Sequence, residues 1–171
     1  TPMPPTAYFL GKVGMVLVVS LVQVALLLAV ATQVFGIDLP TDAGRWWTFA
    51  WVFALGTAAG AVCGVAFSSL PRSGRSASAV VTPVVIVLQF VSGVFFAYGE
   101  LPSWMQQVAS IFPLKWMAQG MRSVFLPEQA VVMEPSGSWE HLGIAAVLTA
   151  YLLVGLVVGI RTFRWRRRDD G

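Results

Sequence analysis

Four long stretches without a charged side chain constrain this sequence more than any other feature. No Asp, Glu, Lys or Arg occurs in residues 13–37, 46–71, 76–99 and 142–160, which are 25, 26, 24 and 19 residues long. A helix rises about 1.5 Å per residue, so about 20 apolar residues cross the ~30 Å hydrocarbon core of a bilayer. None of the four shows the period-two alternation of a barrel strand, and backbone groups in lipid must be paired within the segment. The sequence therefore predicts an all-α protein, a polytopic bundle of transmembrane helices.

The composition excludes a water-soluble or disordered chain. Charged residues make up 11% of the 171, against roughly 25% in a soluble domain, and the mean hydropathy is +0.75. The net charge of +3 would suit a nucleic-acid binder, but the basic residues stand at the ends of the apolar stretches, where they act as topology signals. No nucleic-acid partner is expected. The single cysteine, Cys63, excludes a multi-cysteine metal site.

The whole chain, residues 1–171, is predicted to form one transmembrane domain with spans at about 11–36, 46–69, 77–97 and 141–160. If the N-terminus is cytoplasmic, three basic residues fall on the outer side: Arg45, Lys115 and Arg122. Eight fall on the cytoplasmic side: Lys12, Arg72, Arg75, Arg161, Arg164, Arg166, Arg167 and Arg168. This asymmetry obeys the positive-inside rule and predicts that both termini are cytoplasmic.

Between the third and fourth spans, the segment 101–126 carries two short amphipathic patterns. Apolar residues recur at helical spacing behind Pro102-Ser103, and Pro113 separates them from a second piece that Pro127 ends. The charge-free part, 101–114, is 14 residues long, which is too short to span a bilayer. We expect two short re-entrant or interfacial helices here, on the outer side.

Glycines on the second span indicate a packing face. Gly56, Gly60 and Gly64 lie four residues apart, a spacing that lets two helix backbones approach closely. The partner helix belongs either to the same chain or to a second copy.

Polar and aromatic residues inside the spans are candidates for a substrate pathway. Such residues are Gln23 in the first span and, on one face of the third span, Thr82, Gln89, Gly93 and Phe96. A glutamine within a span also commonly hydrogen-bonds a neighbouring helix, so for Gln23 a packing role remains open.

Motifs for catalysis or nucleotide binding are missing from the sequence. It contains no G-x-x-x-x-G-K-[ST], H-E-x-x-H or G-x-S-x-G pattern. The one histidine, His141, follows Glu140 at the mouth of the fourth span and is interpreted as a wetted interfacial residue. No ionisable side chain lies deep in a span, which disfavours a proton-driven pump. We expect no catalytic activity, no metal and no cofactor in this chain.

The order of several short motifs resembles the membrane permeases of type-2 ABC exporters, including drug- and antibiotic-resistance permeases. The resemblance covers essentially the whole chain, aligned to the last four of the six helices of those permeases. It rests on Ser92-Gly-Val-Phe-Phe96, Leu101-Pro-Ser-Trp104, Ile111-Phe-Pro-Leu-Lys-Trp116 and Arg122. The motif residues that it singles out are Ser92, Gly93, Pro102, Trp104, Pro113 and Arg122.

The resemblance implies a permease that pairs with a second permease unit, as a homodimer, in a bacterial cell membrane. Each unit would dock a separate ABC ATPase subunit, which binds ATP and magnesium and drives export of a drug, antibiotic, lipid or polysaccharide. The first two helices of the family are missing. The chain is therefore expected to be a fragment of a six-helix permease, and the alternative is a truncated gene product.

Two other functions compete with this interpretation. A structural or scaffolding membrane subunit would anchor a partner without transporting anything. A membrane-embedded enzyme acting on lipid would need polar residues gathered at one depth, and the outer candidates are spread along a long loop: Glu100, Glu134, Glu140 and His141.

Overall fold

A computed structural model describes residues 5–67 and 74–162, and every α or β element within them is helical. Within these two ranges, the six α-helices are α1 (Pro5–Phe35), α2 (Ala43–Phe67), α3 (Gly74–Val91), α4 (Ser103–Ile111), α5 (Pro113–Phe125) and α6 (His141–Thr162). Short 3-10 turns occur at Tyr98–Glu100 and Glu128–Met133. The all-α prediction is confirmed. The inner loop that contains Arg72 and the arginine-rich tail lie outside the described residues.

Among the described residues, three helices are long and apolar enough to cross a bilayer, as expected for a helical membrane bundle. They comprise Leu10–Phe35, Ala43–Val65 and His141–Arg161. In α3 the apolar stretch is shorter, Val81–Val91, and the fourth crossing that the sequence predicts at 77–97 stays a prediction.

The second helix begins at Ala43, three residues before its predicted start at 46, because a charged side chain caps it. The Asp42 carboxylate accepts a hydrogen bond from the Arg45 backbone N–H at 3.1 Å. A carboxylate before the first turn satisfies a free N–H group and favours the positive end of the helix dipole. Arg45, which precedes the charge-free stretch 46–71, therefore belongs to this helix.

The third helix ends at Val91, six residues before its predicted end at 97. Gly93 adopts φ +76°, a left-handed conformation that residues with a side chain rarely take. The chain turns there, and the Val94 N–H donates to the Gln89 carbonyl oxygen at 3.3 Å. Residues 92–97 therefore leave the helix axis and lead into the Tyr98–Glu100 turn.

The segment 101–126 forms the two short helices that the sequence predicts. Pro102 stands at the N-cap of α4, and Pro113 occupies the first turn of α5, where the missing proline N–H costs no hydrogen bond. Phe112 is extended between them, with φ −93° and ψ 143°. The two helices are therefore distinct elements joined by a single residue.

The core lies where α2 meets α5 and α6. Val52, Ile144 and Leu148 are fully buried and form one apolar cluster. Glycines let the helices approach closely: a Cβ added at Gly120 would lie 2.7 Å from Val52 Cγ1, and one added at Gly155 would lie 2.7 Å from Val62 Cγ1. These contacts make α2, α5 and α6 a compact unit, onto which α1 packs chiefly through α2.

The three predicted packing glycines of α2 have different surroundings. A Cβ at Gly56 would lie 2.8 Å from the Met117 sulfur of α5, so this glycine stands at a close helix contact. Gly60 and Gly64 are exposed and have nothing within 4 Å of the same position. A role for these two in contact with a second copy stays a prediction.

Replacing Gly120 by alanine is expected to destabilise the bundle. The new methyl group would press on Val52, a buried and rotationally stiff side chain. Overpacking of this kind, reduced by the better helix propensity of alanine, costs about 1–2 kcal/mol. Gly14→Ala on α1 is the matched control, because its Cβ enters open space. Thermal unfolding in mild detergent, followed by tryptophan fluorescence, should show a lower midpoint for Gly120→Ala alone, and equal midpoints would contradict this packing.

Candidate functional site

A row of buried polar side chains lies along one face of α5. Lys115, Gln119 and Ser123 are spaced four residues apart and are only 4%, 0% and 6% exposed. Lysine is almost never buried without a partner. This polar face therefore requires compensating groups from the segments that cover it.

The ammonium group of Lys115 is held by an amide, a carboxylate and two aromatic rings. Its Nζ donates to Gln119 Oε1 at 2.7 Å and lies 3.6 Å from Glu140 Oε2. It also lies 3.7 Å from the Trp116 ring centroid and 5.2 Å from that of Tyr98. Cation–π attraction is stronger where water is excluded, so the rings replace part of the lost hydration.

Glu140 reaches this cluster from the residue that precedes α6. It has φ +49°, a left-handed conformation that is rare for a residue other than glycine, asparagine or aspartate. Its carbonyl oxygen accepts the Ile144 N–H at 2.9 Å, and its Oε2 accepts from Gln119 Nε2 at 3.2 Å. The strained backbone lets one residue both begin α6 and balance the charge of Lys115.

The environment shifts the pKa values of both charged partners downward. Burial lowers the pKa of Lys115, although the charges of Glu140 and Glu134 oppose this shift. For Glu140, burial alone would raise the pKa, but hydrogen bonds from Gln119 and Ser136 and the charge of Lys115 together lower it. The surroundings thus favour the charged form of Glu140, whereas burial disfavours the charged form of Lys115.

Arg122 brings two of the sequence motifs into contact. Its Nε donates to Glu134 Oε1 at 2.7 Å, and its Nη1 donates to the Gly93 carbonyl oxygen at 3.0 Å. Ser92, adjacent to Gly93, is fully buried. The Ser92-Gly93 motif and the distant Arg122 are therefore parts of one structural junction between the end of α3 and α5.

An apolar groove of about 530 Å³ runs between α3 and α4. From α3 it is lined by Pro83, Val84, Val87, Leu88 and Val91, and from the segment of α4 by Trp104, Met105, Val108 and Phe112. Trp104 remains 63% exposed. The groove has no polar lining residue, so it suits hydrocarbon rather than a charged group.

The predicted pathway residues do not converge on this groove. Gln23, Thr82 and Phe96 are exposed, Gln89 and Gly93 are half-buried, and none of the five lines the groove. Gln23 lies on α1, which packs chiefly on α2. At the helical turn of about 100° per residue, Thr82 and Gln89 lie on the face of α3 opposite its lining residues. Their role in a pathway stays a prediction.

The structure also brings together polar residues that are far apart along the outer loop, and a glutamine that the sequence did not mark as a candidate. Glu134 and Glu140 come together with α5, and His141 Nε2 lies 3.1 Å from Ser123 Oγ. Gln119 was not singled out from the sequence. The spacing of Lys115, Gln119 and Ser123 was the available signal, because side chains four residues apart share one face of a helix and a buried polar face requires polar partners.

Replacing Glu140 by glutamine is expected to destabilise the bundle by about 1–3 kcal/mol at neutral pH, because Lys115 then stays buried without an anionic partner. The deficit should shrink as the pH approaches 10.5, the ordinary pKa of lysine. Loss of Glu140 lowers the pKa of Lys115 further, so the folded chain releases a proton that the unfolded chain retains, and stability rises with pH.

On the acid side, the difference between wild type and Glu140→Gln shrinks as the pH falls, because the wild type loses stability there. The lowered pKa of Glu140 means that its contribution is present above about pH 4.5 and is lost as the pH falls through its folded value. Glu140→Gln should lack this acid-side loss. Denaturation midpoints measured from about pH 2 to pH 10.5 test both limbs, with the exposed Glu100→Gln as control. A parallel profile for Glu140→Gln and wild type would refute the pairing.

Comparison with known proteins agrees with this architecture. A family model described as ABC-2 family transporter protein matches residues 1–161. No curated protein and no solved structure matches the chain. The family match covers nearly the whole sequence, and the described residues form a bundle of apolar helices. The chain therefore belongs to the ABC-2 family of transporter proteins, as an integral membrane permease component of an ABC transporter.

Proposed function

We propose that this permease forms the pathway for ATP-driven export of a hydrophobic or amphipathic compound, such as a drug, an antibiotic, a lipid or a polysaccharide. A separate ABC ATPase subunit binds ATP and magnesium and supplies the energy. Two permease units pair as a homodimer in a bacterial cell membrane. The observation that carries the proposal is the family match over residues 1–161.

The distribution of charge supports a cargo with apolar surface. The charged side chains of the three ion pairs lie on α5, in the segments that flank it and in the first turn of α2, not in the interiors of the long apolar helices. The groove beside α3 has only apolar lining residues. Moving a charged compound past such surfaces would cost its hydration, whereas an apolar portion of a cargo would bind them favourably.

Ion pairing supports the proposed orientation, with both termini in the cytoplasm. Each of the three basic residues assigned to the outer side has an acidic partner: Arg45 with Glu128 at 3.5 Å, Lys115 with Glu140 at 3.6 Å and Arg122 with Glu134 at 2.7 Å. Their positive charges are thus locally neutralised. The unbalanced positive charge of the chain lies mainly in the loop before α3 and in the tail, which the positive-inside rule assigns to the cytoplasm.

The pathway residues can be tested in the complete transporter, reconstituted with its ATPase subunit in liposomes. Gln89→Ala and Phe96→Ala are expected to reduce the stimulation of ATPase activity by cargo about three- to tenfold, the effect of losing about 0.6–1.4 kcal/mol of binding. Matched controls are Gln33→Ala and Phe35→Ala, which remove the same side chains from exposed positions on α1.

The outcomes separate transport from the competing functions. Reduced stimulation in the α3 variants, with unchanged controls, supports a pathway along α3. Unchanged stimulation and export in both α3 variants would remove Gln89 and Phe96 from the pathway. A chain that co-purifies with no ATPase and moves no cargo would instead act as a scaffolding subunit.

A further inference from the structure

Arg122 connects α5 to two different segments through one guanidinium group. Its Nε is bonded to Glu134, which follows the Glu128–Met133 turn, and its Nη1 is bonded to Gly93, in the turn that ends α3. The guanidinium therefore ties the end of α3 to the α5–α6 part of the bundle.

The ion pair between Arg122 and Glu134 is only half made. Arg122 Nη2 and Glu134 Oε2 are buried and have no hydrogen-bond partner. Nε and Nη2 lie on the same edge of a guanidinium, the edge that commonly binds both oxygens of one carboxylate. An unsatisfied buried donor or acceptor is costly, so a competing interaction must hold the second bond open.

The bond from Arg122 to Gly93 is that competing interaction. Turning the guanidinium fully toward Glu134 would complete the two-bond pair but would draw Nη1 away from the Gly93 carbonyl oxygen. One arrangement leaves Nη2 and Oε2 unpaired, and the other leaves the Gly93 oxygen unpaired. Each arrangement gives up a different buried hydrogen bond, so Gly93 and Glu134 compete for one guanidinium group, and such competition permits a two-state element.

We propose that Arg122 and Glu134 form a latch with two positions that sets the tilt of α3. In the pinned position, which the structure shows, Arg122 holds the Gly93 carbonyl oxygen. In the released position Arg122 makes both bonds to Glu134, and the turn at Gly93 frees α3. Both residues are positioning residues, since they act through α3. The use of this tilt in transport rests on the proposed function, whereas the latch itself does not.

The surroundings of α3 permit such a movement. Its principal contacts are with the short helices α4 and α5, and the groove beside it is lined only by apolar side chains. Gly93 supplies a backbone pivot at φ +76°. The Ser92 hydroxyl next to the pivot is buried without a partner, so it adds no bond that would oppose the tilt.

The latch can be tested by measuring the distance between α3 and α6 in nucleotide-free liposomes. Spin labels on cysteines replacing the exposed Ile86 and Val154 report this distance, after Cys63→Ser removes the native cysteine. Labelled chains are diluted with unlabelled ones so that distances within one chain dominate. The wild type should show two distance populations.

Two substitutions should shift the ratio of these populations in opposite directions. Glu134→Gln prevents the two-bond pair, because its amide N–H group would face Nη2, and it should enrich the pinned population at least threefold. Gly93→Ala would place a methyl group 3.1 Å from Arg122 Nη1 and 2.8 Å from Tyr98 Cβ, so it should enrich the released population at least threefold. Arg122→Lys keeps the charge but cannot hold both partners, and it should also favour release.

The control for backbone strain is Gly137→Ala. Gly137 has a similar φ of +61°, with nothing within 4 Å of an added Cβ, and its variant should match the wild type. A single population in the wild type, or shifts of Glu134→Gln and Gly93→Ala in the same direction, would overturn the latch. Because these distances need neither ATPase nor cargo, the latch can fail while transport is demonstrated, and the reverse also holds.

Discussion

The cost of placing an unpaired charge in or beside hydrocarbon governs this structure. The long apolar helices carry no charge in their interiors, while the region around α5 contains three cations that each find a carboxylate. The acids come from segments that are distant in sequence, so every pair also fastens one element to another. In this part of the bundle, the contacts that neutralise the charges therefore also hold the elements together.

The features that were predictable from the sequence are those set by composition and by prolines that separate one helix from the next. Charge-free stretches of about 20 residues leave helices as the way to pair the backbone in lipid, and Pro102 and Pro113 mark the starts of α4 and α5. The ends of helices were less predictable. Asp42 extends α2 beyond its apolar stretch through a cap, and Gly93 stops α3 inside an apolar stretch through a left-handed turn. A hydropathy profile detects neither the Asp42 cap nor the Gly93 turn.

The partners of the polar residues could not be predicted, because they depend on how the segments fold back on each other. Glu134 and Glu140 are ordinary loop carboxylates in the sequence, and only the return of the chain toward α6 brings them to Arg122 and Lys115. The same contacts bring two of the family motifs together. In this chain, the glycine turn leaves the Gly93 carbonyl oxygen where the Arg122 guanidinium can reach it.

Arg45 gives the short helix α5 an attachment at its far end. Its Nη1 donates to the Leu126 carbonyl oxygen at 2.9 Å and to that of Val124 at 3.4 Å, where the last turn of α5 leaves carbonyl groups free. A helix of 13 residues is marginal in isolation, yet α5 is fastened by the first turn of α2 and by the residue before α6. Its amide protons should therefore exchange with deuterium as slowly as those of the long helices, since α5 opens only when the bundle does.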